Sequence, residues 1–368
     1  MYEIGKTIFR LLLGFHFIFK KFFHYSFFAL VFPLILSSSG CVSLGYLIQA
    51  GKGQLELSNR AKPISEVLKD EKTPFEIKNL LAQVDPIKKM GETYGLKPTK
   101  NYTEYVELNR SAAVWVVSAC EPLEFKSKEW NFPIVGSFTY LGWFDESGAR
   151  KFGKVLKAQG FDVSVRGASA YSTIGWFRDA VLSTMISRGG GESLGGLVNV
   201  ILHESVHATL YLKDQVYFNE SIASFVADQL TPVYLKKSEH FEQLQAYQRA
   251  EKTRDEQDKV LNENYLALEK IYASPLSQEE KLERKSKILK NVKEKLELKR
   301  DINNATLIKY RTYGVGKAEF QAVLDSCGSD WKRFWSVMKK LKTSDFLRSH
   351  TENIGELLLG LAKRGCGS

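Results

Sequence analysis

Cysteine and histidine are both scarce in this chain of 368 residues, with four of the first and six of the second. No two cysteines stand in a C-x-x-C spacing, which argues against cysteine-based metal binding. No internal repeat is evident, so an architecture built by repetition is not expected. Basic residues are in excess, at a net charge of +10, yet no block of basic and aromatic residues points to nucleic acid. Four basic residues and one acidic residue (Lys6, Arg10, Lys20, Lys21 and Glu3) account for three of those ten charges. The rest is dispersed and supports at most a weak attraction to anionic membrane surfaces. What is present is material for a core: 44% hydrophobic and 12% aromatic residues exclude a disordered chain. The length leaves room for two modest domains, or one with insertions.

The few histidines are not scattered. His203-Glu204-Ser205-Val206-His207 places two of them four apart, on one face of a helix and about one turn from each other. Both imidazoles can then reach one metal ion, and the intervening Glu204 stays near that face as a general base. Around them Leu194, Leu197, Val198, Val200, Ile201, Leu202, Val206 and Leu210 predict a mostly buried helix over 193–211. Three polar groups in such a helix are costly without partners, which favours a metal over satisfied core histidines. Glu220 is the expected third ligand, completing a His2Glu site with one position open for water, the make-up of a catalytic zinc site. Its bland reading is an acidic residue in a first helical turn, favoured by the helix dipole alone. Asn219 is expected to cap that helix, 220–230, or to orient a ligand.

The N-terminus reads as an export signal. Arg10, Lys20 and Lys21 precede the apolar run 22–36, and Ser37-Ser38-Ser39-Gly40-Cys41 follows. These parts resemble a bacterial lipoprotein signal with Cys41 as the lipidated residue, although Ser38 stands where that pattern has Leu. An uncleaved anchor helix is the alternative, with the same orientation. Either places the bulk of the chain outside the cytoplasmic membrane, tethered to it. Cys120, Cys327 and Cys366 then remain in a disulfide-permissive compartment, with one bridge possible and no pair singled out.

Along the chain, helices are expected over 44–59, 75–94 and 145–159, the last opening on Asp145 and ending at Gly160. Strands are expected over 112–119, 134–140, 161–165 and 170–177. Residues 236–300 differ in kind: 29 of the 65 are charged, with both signs mixed. Ser274-Pro275-Leu276 and the capping box Ser277 to Glu280 split them into two helices. Leu244, Leu261, Leu268, Ile271, Leu282, Leu289, Val292 and Leu296 supply an apolar stripe. The reading is a helical hairpin with solvated faces, a partner-docking arm being the alternative.

Several segments together resemble a bacterial family of predicted zinc aminopeptidase lipoproteins within the H-E-x-x-H-plus-Glu metallopeptidases (gluzincins). They are Gly53-Gln54-Leu55, Trp130 to Pro133, Ala170 to Phe177, His203 to Tyr211, Phe218 to Ser221 and Asn303-Asn304-Ala305. Ala180 departs from the family, which has Pro after Asp179. The resemblance implies an α+β, mostly helical fold: a zincin-like core with a small β-sheet, an active-site helix and an inserted helical hairpin. The boundaries are 1–40 for the signal or anchor, 41–235 for the core, 236–300 for the hairpin and 301–368 for a C-terminal helical part. It also implies one zinc ion held by His203, His207 and Glu220, with Glu204 as base, a peptide or protein substrate, and an extracytoplasmic location. Candidates for oxyanion stabilisation are Tyr171, Tyr211, Tyr310 and Tyr313, with Tyr171 preferred as an oxyanion or substrate contact. Three alternatives stay open: a zinc endopeptidase, zinc-dependent hydrolysis of another bond, and a catalytically silent surface lipoprotein used for binding or scaffolding.

Overall fold

The computed structural model describes residues 42–132, 136–171, 178–186, 193–312, 316–347, 351 and 354–366. The export signal, Cys41, most of the 170–177 segment and Tyr313 lie outside them. No helix among the described residues is long and apolar enough to cross a membrane. The chain divides into two units, residues 1–52 and 53–368. The described part of the first is helical, within the helix Val42–Arg60. The second holds every other element.

β-Branched and aromatic residues make Val114–Cys120 the central strand of a three-stranded sheet. It lies antiparallel to Tyr140–Trp143 on one side and Asp162–Ala168 on the other, with Trp115 opposite both Trp143 and Gly167. The helix Glu146–Ala158 covers this sheet, and its Leu156 and Phe152 are buried. Asp145 caps it as expected, accepting from Gly148 N–H at 2.6 Å, and Gly160 ends the turn with φ of +94°. A second small sheet joins Lys62–Pro63, Glu104–Val106 and Val181–Leu182.

Three expectations need correction. The span 75–94 is two helices, Phe75–Ala82 and Val84–Thr93. Pro86 has no N–H to give the Ala82 carbonyl and sits in the first turn of the second helix, where a proline is tolerated, so the break falls just before it at Gln83. The strand expected over 134–140 is split between Gly136–Phe138, paired with Trp130–Phe132, and Tyr140–Trp143 in the larger sheet. Asn219 is not a cap: its helix begins earlier, at Val216, and runs to Lys237 with Pro232 inside.

The charged segment forms the helices Phe241–Ala273 and Gln278–Lys295, joined through the Ser277–Glu280 capping box. Leu261, Leu268 and Val292 of the stripe are buried with Cys120, Phe125, Leu307 and Ile308, whereas Leu282 is exposed. A polar clasp holds the hairpin to the sheet. Buried Lys285 Nζ donates to Asp162 at 2.5 Å and to the Pro122 carbonyl at 2.7 Å. Asp162 also accepts from Asn304 N–H at 2.8 Å, and Asn304 in turn accepts from the Tyr272 hydroxyl. The clasp and the buried part of the stripe dock the hairpin on the sheet. Gly195 allows the hairpin's first helix to approach the helix that carries His203 and His207 closely, since a Cβ there would meet the Tyr247 ring at 2.9 Å. Near the C-terminus Cys327 and Cys366 are bridged, and Cys120 remains a buried free thiol.

Candidate metal centre

The H-E-x-x-H residues lie on the helix Ser193–Thr209. Leu197, Val198, Ile201, Leu202 and Val206 on that helix are completely buried. Each such side chain contributes about 1.5–3 kcal/mol of burial, so the helix is seated firmly. Its small polar residues are satisfied internally: Ser205 donates to the Ile201 carbonyl at 2.6 Å and Thr209 to Ser205 at 2.7 Å. Thr209 also accepts from Lys97 N–H at 2.8 Å.

The following helix brings Glu220 alongside. Its start at Val216 places Glu220 beyond the first turn, so the helix dipole does not account for the carboxylate there. Asn219 acts on the turn between the two helices. Buried at 1% exposure, it accepts from Leu212 N–H at 2.9 Å and donates to the Leu212 carbonyl at 2.8 Å. This two-point clasp sets the distance between the helices and hence the place of Glu220.

His203, His207 and Glu220 each offer one ligand atom, and these atoms lie within 4.8 Å of one another. Nε2 of His203 is 3.3 Å from Glu220 Oε2, and Nε2 of His207 is 3.7 Å from Oε1. Ligand atoms about 2.0–2.1 Å from a tetrahedral zinc stand roughly 3.3–3.4 Å apart, which the His203–Glu220 separation matches and the His207–Glu220 separation exceeds by a few tenths of an ångström. The two imidazoles are nearly perpendicular, with centroids 4.9 Å apart. His207 Nδ1 is buried and has no hydrogen-bond partner among the described residues. Glu204 Oε2 is shielded from solvent beside the same helix face.

The electrostatics follow from burial and from Glu220. Burial depresses the His203 pKa, but the hydrogen bond and charge of Glu220, with Glu204 and Asp228 adding, outweigh it and raise the pKa above its usual value. For His207 burial wins, opposed by Glu220 and helped by the His203 charge, and lowers the pKa to about 4. His207 is thus in the neutral, ligating form at ordinary pH. Burial would raise the Glu220 pKa, yet the two histidines and Arg166 hold it below the usual carboxylate value.

Three aromatic hydroxyls, those of Tyr211, Tyr140 and Tyr102, have places around this centre, and Tyr171 lies elsewhere, against Phe144. Tyr211 stacks edge-on to His207 at 6.3 Å, and burial and Glu220 raise its pKa. Tyr140, on the sheet edge, feels Glu220, Tyr211 and Glu204; burial first and these groups next raise its pKa. Tyr102 is 3% exposed, and burial, then Glu204 and Asp179, raise its pKa. Tyr171 is half-buried, edge-on to Phe144 at 4.9 Å, in a cavity shared with Asp179. Tyr310 packs with the hairpin cluster. Sequence reasoning missed Tyr140, Tyr102 and Arg166. Tyr140 sits in an expected strand, but nothing local told which strand faces the helix of His203 and His207.

The two histidines and the carboxylate thus converge from successive helices, with a further carboxylate beside the first ligand. The chain belongs to the family described as "Putative aminopeptidase", whose model matches residues 45–351. This membership points to a peptidase, a hydrolase acting on peptides. No curated protein and no solved structure matches the chain.

Proposed function

We propose that the protein is a zinc metallopeptidase of zincin-like fold, acting as an aminopeptidase and tethered to the outer face of the cytoplasmic membrane. The observation that carries this reading is the convergence of His203, His207 and Glu220, with ligand atoms within 4.8 Å, from two helices held together by the Asn219 clasp. Zinc held by those three residues would supply Lewis acidity, bringing the pKa of water towards about 7 and polarising the scissile carbonyl. Glu204 accepts the proton of the attacking water and delivers it to the leaving amine. Tyr140 keeps its phenolic proton beside the two carboxylates and is a donor for the developing oxyanion. Arg166 offsets the negative charge of Glu220. The aminopeptidase part follows the family description. The tether follows the basic flank and apolar run ahead of Cys41.

The test uses the full chain purified in mild detergent. Bound zinc is measured alongside hydrolysis of free-amino and N-blocked peptide substrates, for wild type and Glu204→Gln. One zinc per chain in both, with turnover at least 100-fold lower in Glu204→Gln, is the expected result. A folded chain that takes up no zinc overturns the reading, and equal cleavage of blocked peptides moves it to an endopeptidase.

A further inference from the structure

A cavity of about 270 Å³ opens beside the second small sheet. Its polar lining is Gln54, Ser58, Glu104, Tyr171, Arg178 and Asp179. The helix carrying Gln54 reaches this place because Gly53 leaves room for the Phe144 ring, which a Cβ would meet at 2.0 Å. Phe144 in turn packs on Tyr171.

The lining offers mostly acceptors. Gln54 Oε1 is fully buried and accepts no hydrogen bond among the described residues. Glu104 is half-buried, and its carboxylate makes no hydrogen bond or ion pair among the described residues. Asp179 is 7% exposed and gripped on both sides by Asn101, which donates to Oδ2 at 3.5 Å and accepts from Asp179 N–H at 3.2 Å. Among the described residues that line the cavity, Arg178 is the one basic side chain, and it is exposed. Two carboxylates, Glu104 and Asp179, thus face one exposed guanidinium in the described lining, and water screens the exposed charge more than the buried one.

Tyr102 interacts with a lining residue of the cavity and with Glu204. The Tyr102 N–H donates to the Asp179 carbonyl at 2.7 Å, and the phenol of the same residue feels the charges of both Asp179 and Glu204. Tyr102 holds a left-handed backbone, φ +61°, unusual for a buried aromatic and the kind of strain found at working sites.

We propose that this cavity binds a primary ammonium group of the peptide substrate, held by Glu104, Asp179 and the Gln54 carbonyl oxygen. An ammonium carries three N–H donors and one positive charge, which matches three acceptors with net negative charge. The volume has room for the amino end of a peptide. The ammonium is either the α-amino group of the substrate or a lysine side chain beside the scissile bond. Assigning it to a peptide rests on the peptidase reading; binding of the ammonium itself does not.

The experiment is calorimetric titration of the full chain in detergent, zinc-free and zinc-loaded, with leucinamide, Nα-acetyl-leucinamide and Nα-acetyl-lysinamide. Expected is binding of one amine-bearing probe at least ten-fold tighter than Nα-acetyl-leucinamide, with that gain lost in Glu104→Gln and in Gln54→Leu. Preference for leucinamide assigns the α-amino group, and preference for Nα-acetyl-lysinamide assigns the side chain. Equal binding of all three probes by wild type, or a preference that survives both substitutions in folded protein, overturns the proposal. Absence of zinc or of hydrolysis counts against the peptidase reading alone, because the zinc-free titration still reports on the cavity.

Discussion

Glu220 Oε2 lies 3.3 Å from Nε2 of His203, across the contact between two successive helices. The pair holds two charges that a divalent cation would reorganise, so it makes the centre sensitive to both metal and pH. Metal competes with protons for His203. Its pKa is raised, so zinc affinity should climb as pH rises through the region above about 6.5 and then level off. His207, lowered to about 4, adds no proton competition there. Glu220→Ala should weaken zinc binding by more than the roughly 10–100-fold lost with an outer partner of a ligand. Competition with a chromogenic chelator over a pH series measures both effects, and a flat profile would argue against His203 as ligand.

Lys285 and Asp162 form a mostly buried pair whose loss should loosen the hairpin. Removing one member leaves an uncompensated charge, so Lys285→Met should cost about 3–5 kcal/mol in urea unfolding. Lys285→Met combined with Asp162→Asn should cost less than the single change. A cost under about 1 kcal/mol for the single change would mean the clasp does not anchor the hairpin.

Asp145 caps the helix over the larger sheet and has a lowered pKa, caused first by the Ser147 hydroxyl and then by the Gly148 N–H. A depressed carboxyl pKa contributes stability that is present above the unfolded value and lost as pH falls through the folded one. Asp145→Ala should therefore destabilise by about 0.5–2 kcal/mol at pH 7. The difference should shrink below about pH 4, as thermal melts at several pH values would record.

The Cys327–Cys366 bridge closes a loop of 39 residues. In the chain-entropy account that corresponds to about 4 kcal/mol. Replacing both cysteines by Ser should lower stability by about 2–4 kcal/mol while sparing zinc content, because no site residue lies in the loop. Cys120, whose thiol is pushed up to about 12 by burial and then by Asp162, should resist alkylation until the chain unfolds.

Much of the helical framework was readable because its signals are local. Asp145 with Gly160, and Ser277 with Glu280, marked helix ends that the fold retains, since a cap needs only residues within one turn. The capping role expected of Asn219 failed for the opposite reason. A side chain that binds the Leu212 backbone from within a helix looks, in sequence, like one that caps it. The helix expected over 75–94 breaks at Gln83, three residues before Pro86.

By itself the sequence determined that His203 and His207 share one helix face, because residues four apart stand about one turn from each other in a 3.6-residue period. It also determined where the core helices and the charged hairpin lie, through burial and charge pattern. Only the tertiary structure decided how far Glu220 stands from both imidazoles, which phenols surround it, and which cysteines pair. It also brought Gln54, Glu104 and Asp179 around one cavity. Those relationships join segments distant in the chain, and they depend on packing between elements, which no local pattern encodes.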